Sequence, residues 1–264
     1  MLIKSDMRKL LDGYWDGSGI TTGDCVLLHS SMKRTFCYLS ELGGPANPRI
    51  IIDSLLDTVG PTGTILFPLF NFDFPTSKEF SMVSTPSQMG ALTEYARKEY
   101  KGVRTGHPIY SFIAIGAHQK EFSKINNKSG YGSDSPFAKL LEIDGKIAVI
   151  DLDDQNSMTS YHFVEEKCQV PYRYFKTFSG VYEGLDGSKT QREYELYVRD
   201  LEAGVITSVN RMGEILWAEN LYSGHRPNIG NGMRSIPMKS LYKRTEIEIK
   251  SGRAIDALYE IIPK

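Results

Sequence analysis

His162 lies in the run Asn156-Ser157-Met158-Thr159-Ser160-Tyr161-His162-Phe163-Val164-Glu165-Glu166. On a helix, Thr159 falls one turn before the imidazole and Glu165 one turn after it, so a hydroxyl, an imidazole and a carboxylate share one face. Such a stripe suits general-base chemistry. The carboxylate fixes the ring's tautomer, the ring takes a proton from a nucleophile, and the hydroxyl or nearby amides steady the charge that develops on the substrate. An N-cap threonine, a solvated glutamate and a partly buried histidine give the same spacing, and spacing alone leaves both readings open. A shared metal ion is poorly served, because no second His–carboxylate pair stands at ligand spacing; no metal is expected.

Other nucleophiles are less well placed. Cys168 is six residues past His162, on a different helix face, and Cys25 sits in an apolar strand run where an inert buried thiol is expected. No G-x-S-x-G turn occurs, so a serine hydrolase is set aside. Three cysteines with no CxxC pair argue against a disulfide framework or a structural zinc site and fit a reducing compartment. The first residues lack the charged-then-apolar pattern of a signal peptide, and no apolar run reaches the length of a membrane span; the expected location is the cytoplasm. In 264 residues, 31 Lys and Arg against 32 Asp and Glu leave a net charge of -1, which gives no global field to recruit nucleic acid or a membrane. The expected partner is a small molecule, with the protein a monomer or homodimer.

The elements that must position these groups alternate. A short helix is expected from Met1 to about Trp15, a buried strand at Cys25–Ser30, a helix through Ile50, Ile51, Leu55 and Leu56 that Gly60-Pro61 ends, and a strand at Thr64–Phe70. Further helices are expected at Gln88–Lys101, Pro136–Ile143 and Thr159–Cys168, with strands at Ile109–Gly116 and Lys146–Leu152. His162 thus falls at the loop-to-helix junction beyond a strand's carboxyl end, where α/β sheets place ligands. From Tyr172 onward, Tyr- and Thr-rich stretches around Asp186-Gly187 read as an antiparallel hairpin, followed by helices near Val209–Asn220 and Arg253–Ile262. The expectation is an α/β layered sandwich: a central mixed sheet flanked by helices, with an antiparallel C-terminal extension, all in one domain spanning 1–264.

Several blocks in order carry a resemblance: Leu28-His29-Ser30-Ser31, Gly43-Gly44-Pro45, Gly63-Thr64-Ile65-Leu66-Phe67-Pro68, Thr85-Pro86-Ser87-Gln88-Met89-Gly90-Ala91-Leu92-Thr93-Glu94, Arg104-Thr105-Gly106-His107-Pro108-Ile109-Tyr110-Ser111-Phe112 and Tyr131-Gly132-Ser133-Asp134-Ser135-Pro136. Together with the Thr159, His162, Glu165 segment, they resemble the aminoglycoside 3-N-acetyltransferase family over about residues 23–173. The resemblance implies transfer of an acyl group from coenzyme A to an amine on a sugar-like acceptor. It makes His162 the base, Glu94 its carboxylate partner with Glu165 as second candidate, and Thr159 a stabiliser of the oxyanion or thiolate. It implies coenzyme A binding at Ser30, Ser31 and Lys33, at the Gly43-Gly44 loop before a helix, and at Arg104 and His107.

The C-terminal region, 174–264, lies outside that core and is expected to govern the acceptor. Aminoglycosides are polycations, yet Arg226, Arg234, Lys239, Lys243 and Arg244 fall between Gly224 and Arg244 with no acid, and Lys167, Arg173 and Lys176 form a second basic stretch. With Tyr131, Asp134 and Tyr172, the residues Arg173, Arg226 and Arg234 are therefore acceptor-side candidates, Tyr131, Tyr172 or Tyr174 is available to stack on a base or sugar, and a nucleotide-linked 3-amino sugar for polysaccharide precursor synthesis is the favoured acceptor. The alternatives are an aminoglycoside 3-N-acetyltransferase conferring antibiotic resistance and a non-catalytic acyl-CoA or sugar-binding module.

Overall fold

The computed structural model describes residues 10–15, 17–44 and 47–262. Its central sheet has seven strands: β1 (Cys25–Ser30), β2 (Thr64–Pro68), β4 (Val103–Arg104), β5 (Phe112–Gly116), β6 (Lys146–Ile150), β10 (Ser223–Gly224) and β11 (Met233–Pro237), ordered β10-β11-β6-β1-β2-β5-β4. β1 is parallel to both β2 and β6, and every other neighbour is antiparallel. β1 is apolar without alternation because both of its faces are covered. Val26 and Leu28 pack with the helices Pro48–Val59 and Ala91–Glu99, whereas Cys25 and Leu27 pack toward Pro136–Glu142, Ser160–Lys167 and Met238–Lys250. A second sheet, ordered β3-β7-β8, joins β3 (Glu79–Ser81) to the long hairpin of β7 (Arg173–Glu183) and β8 (Lys189–Arg199), and β9 (Val205–Thr207) pairs with β12 (Tyr259–Ile261).

Local sequence explains most of these elements. Asn47 accepts from the Arg49 amide at 2.9 Å, Pro48 occupies the first turn, and Gly60 at φ +67° stops the helix. Ser135 caps the Pro136 helix in the same way. Of the N-terminal helix expected through Trp15, residues 10–14 are helical and the first nine lie outside the described residues.

Two expectations need correction, and two helices come in addition. The helix expected from Gln88 begins only at Ala91, because Ser87 bonds Pro68 O and Thr93 while Gly90 turns the chain at φ +104°. No helix spans 253–262. Asp256 at φ +66° breaks it, and Tyr259–Ile261 form β12 instead. The C-terminal helix is Met238–Lys250, which begins inside the basic stretch, and a further helix, Lys33–Glu41, follows β1 directly.

This topology makes the crevice. β1 and β6 end level, Ser30 opposite Ile150, with Ser31 N donating to Ile150 O at 2.8 Å. Beyond β1 the chain enters the Lys33 helix on one face of the sheet, and beyond β6 it enters the Ser160 helix on the other. The two connections diverge and leave a gap at the strands' carboxyl ends, the usual ligand position of such sheets.

Candidate active site

His162 occupies the first turn of the Ser160–Lys167 helix. Its Nδ1 lies 2.7 Å from Glu165 Oε2, one turn on, and Arg173 Nε stands 2.9 Å from that same oxygen without the alignment of a hydrogen bond. Glu165 and Arg173 are buried, while 18% of the His162 side chain is exposed. Burial alone would raise the Glu165 pKa, but the charge of Arg173 and then the bond from His162 outweigh it and hold the carboxyl below its usual value. An ionised carboxylate only accepts, so the 2.7 Å contact assigns the proton to Nδ1. Arg173 Nη2, 2.9 Å from Nδ1, therefore lies against the ring without donating to it; its nearby acceptor is Thr207 Oγ1 at 3.3 Å. Nε2 is left with its lone pair.

The ring is also kept neutral. Burial and then the Arg173 charge lower the His162 pKa below its ordinary value, against the opposing effect of Glu165. A second proton would make the Arg173, Glu165 and His162 group net positive in a place with little water. A neutral imidazole with a fixed tautomer is the state a general base needs.

The ring stands on the wall of a cavity of about 290 Å³ that Tyr110, Tyr131, Arg173, Lys176 and Arg199 also line. Tyr131 meets the imidazole edge-on at 5.4 Å between centroids. A second cleft, of about 570 Å³, is lined by Ser30, Ser31, Lys33, Gly90, Leu152 and Asn156, among others. The 152–159 loop links the two, walling the cleft with Asn156 and carrying Thr159 into the His162 helix. Two nine-residue helices begin at this cleft with no side-chain cap, one after Met32 and one after Gly90. Their first amides suit an anion.

Not every residue singled out from sequence reaches these places. Glu94 binds Arg97 at 2.7 Å, Lys98 at 3.2 Å and the Ser87 amide at 2.9 Å, which hold its pKa down at about 2; it pairs within its own helix and does not hold His162. The Gly43 and Gly44 amides bond Ser40 O and Leu39 O, closing the preceding helix, so they present no donors to a phosphate. Arg104 is buried, donating to Thr85 O at 2.6 Å and Ser111 Oγ at 3.1 Å over the Phe80 ring, and burial lowers its pKa to about 10. His107 is wholly buried, its Nδ1 accepting from the Ile109 and Tyr110 amides, and burial lowers its pKa to about 3. Neither residue lines the cleft.

On the acceptor side, Arg234 is 1% exposed and donates to Asp154 at 2.9 Å, whose other oxygen accepts from Tyr161 and Tyr222. It braces the loop before His162 from beneath. Arg226 is paired with Glu214 and lies over Trp217; Arg244 meets Glu219 and Glu248, and Lys239 meets Asp144. Four of the five cations between Gly224 and Arg244 are thus paired with acids, most of them from other elements, and neither Arg226 nor Arg234 lines the His162 cavity. Asp134 is exposed and off that wall, and Tyr172 lies behind it, interacting with Glu165 and stacked on Tyr259 at 3.8 Å. Thr159 donates its amide to Ser157 O, leaving its hydroxyl as the group it can offer. Sequence reasoning gave Tyr110 no role, although it lies in a family-like block, and passed over Arg199. A signal was present for Arg199: Arg173 and Arg199 are equidistant from Asp186, and the hairpin register pairs them.

The family model for aminoglycoside 3-N-acetyltransferase matches residues 27–246. The chain belongs to that family. It is an acyl-coenzyme A-dependent N-acyltransferase. A Bacillus subtilis protein described as an SPbeta prophage-derived aminoglycoside N(3')-acetyltransferase-like protein, YokD, is 26% identical over 204 residues, 67% of this chain and 70% of that one. Aminoglycoside N(3)-acetyltransferase III of Salmonella is 22% identical over 200 residues, 67% of each chain. Among solved structures, aminoglycoside acetyltransferase AAC(3)-IIb superposes with a TM-score of 0.77 at 15% identity, covering 92% of this chain and 96% of its own. AAC-IIIb in a binary complex with CoASH gives 0.74 at 21%, covering 93% and 96%. At these identities the structures speak for the shared fold. Among the described residues, no helix is long and apolar enough to cross a membrane and no group of three or more His, Cys, Asp or Glu gathers to hold a metal.

Proposed function

We propose that the protein transfers an acetyl group from acetyl-coenzyme A to a primary amine of an amino-sugar acceptor, with His162 as general base. The observation that carries this is the 2.7 Å contact between His162 Nδ1 and Glu165 Oε2 on the wall of a cavity. As the acceptor nitrogen bonds to the thioester carbonyl carbon, one of its protons passes to His162 Nε2. Collapse of the tetrahedral intermediate breaks the C–S bond, and the departing thiolate takes that proton, restoring the neutral ring. The products are an amide and free coenzyme A, with no covalent intermediate on the protein. An imidazolium beside Arg173 is disfavoured, which speeds its return of the proton. The Thr159 hydroxyl serves the oxyanion or the thiolate.

Ser30, Ser31, Lys33 and the helix starts after Met32 and Gly90 are the proposed seat of the coenzyme, with its pyrophosphate on the helix amides. For the acceptor, the names of the relatives support an aminoglycoside, whose amines sit on sugar-like rings. The test is thiol release from acetyl-coenzyme A with a 2-deoxystreptamine aminoglycoside and, in parallel, a nucleotide-linked 3-amino sugar. Acceptor-dependent release in either reaction supports acyl transfer, and its absence in both contradicts it.

A further inference from the structure

The cavity beside His162 carries more positive charge than its own residues neutralise. Arg173 and Arg199 are directly opposed in the β7–β8 register, an arrangement that costs stability unless each charge is countered. Arg173 has Glu165. Among the described residues Arg199 has no ion-pair partner, and Lys176, on the same wall, meets only the Phe178 ring at 5.7 Å. No Asp or Glu lines the cavity, and the nearby Glu195 is tied to Lys128 at 2.8 Å. A polycationic acceptor would enter a site whose free charges match its own sign. An acceptor carrying a phosphoryl group would instead supply the missing counter-charge.

We propose that the acceptor is an anionic amino sugar whose phosphoryl group sits against Lys176 and Arg199 while its amine meets Nε2 of His162. Tyr174, 47% exposed at the rim, offers a ring face to a nucleobase, so a nucleoside diphosphate-linked sugar is preferred to the bare sugar phosphate. This rests on the acyl-transfer reading and narrows its acceptor.

The experiment measures kcat/KM by thiol release from acetyl-coenzyme A with 3-amino-3-deoxyglucose, its 1-phosphate, its uridine diphosphate-linked form and a 2-deoxystreptamine aminoglycoside, in wild type and Lys176→Glu. The expected result is that the 1-phosphate exceeds the neutral sugar by about tenfold, the effect of one charged hydrogen bond, and that this ratio collapses in Lys176→Glu. The KM for acetyl-coenzyme A stays within about twofold, since no lost contact involves the coenzyme. Equal use of the neutral sugar, or preference for the aminoglycoside, overturns the proposal and leaves acyl transfer standing. So does a raised KM for acetyl-coenzyme A with unchanged acceptor selectivity, which would assign the cations to the coenzyme. If no acceptor releases thiol, acyl transfer fails, and titration calorimetry with the 1-phosphate decides the rest. Binding that is lost in Lys176→Glu upholds the charge assignment, and no binding overturns it.

Discussion

Glu165 holds His162 from one turn further along the same helix, its Oε2 2.7 Å from Nδ1, and Arg173 grips that same oxygen from the neighbouring strand. The carboxylate is thereby ionised and immobile, and the ring can present only its Nε2 lone pair to the cavity. Glu165→Gln should lower kcat by about 100-fold, within the range for disabling a general base. NMR titration of that variant should show the His162 pKa moving further down, because Glu165 is what raises it. Glu94→Gln is the control. It breaks the pairing with Arg97 and Lys98 on its own helix, should cost up to about 3 kcal/mol of stability, the order implied by a carboxyl held from 4.5 down to about 2, and should leave kcat within about threefold.

The cofactor seat is tested at Gly90. Its φ of +104° disfavours any side chain, although nothing stands within 4 Å of where a Cβ would be. Gly90→Ala should therefore act through the backbone, at about 1–3 kcal/mol of local strain, and turn the helix start away from the cleft. Steady-state kinetics should show a raised KM for acetyl-coenzyme A with a smaller change in kcat. An unchanged KM would move the coenzyme elsewhere.

Acid should weaken the fold through its buried histidines. Burial lowers His29 to about 4 and His107 to about 3, both below the ordinary value of 6.5. The unfolded chain then takes up protons first, so stability is complete above about pH 6.5 and falls as the pH drops toward about 4. Each such histidine contributes about 1.4 kcal/mol per pH unit in that window. Urea melts at about pH 7 and about pH 5 measure the loss, and His29→Gln should make it smaller.

Much of this architecture was legible in the residues. The unbroken apolar run of β1, the cap and stop of the Pro48 helix, and the junction that carries His162 are local signals, and the fold honours each. What failed had more than one cause. The resemblance assigned Glu94 to His162, although Arg97 and Lys98, three and four residues on, are the ordinary partners of a glutamate on a helix and take it. The basic stretch after Gly224 looked unpaired because Glu214, Glu219 and Asp144 come to it from other elements. The helix expected at 253–262 was misplaced because the buried Ala254, Ala257 and Leu258 have helical spacing while Asp256 turns the backbone left-handed between them.

The most direct test of His162 as the general base is thiol release from acetyl-coenzyme A, with an accepted amino sugar, in His162→Ala. The expected result is a kcat lower by about 100- to 10,000-fold, with the KM for acetyl-coenzyme A within about twofold of wild type. A kcat near the wild-type value would show that another group takes the amine proton, and would contradict the assignment of His162 as the base.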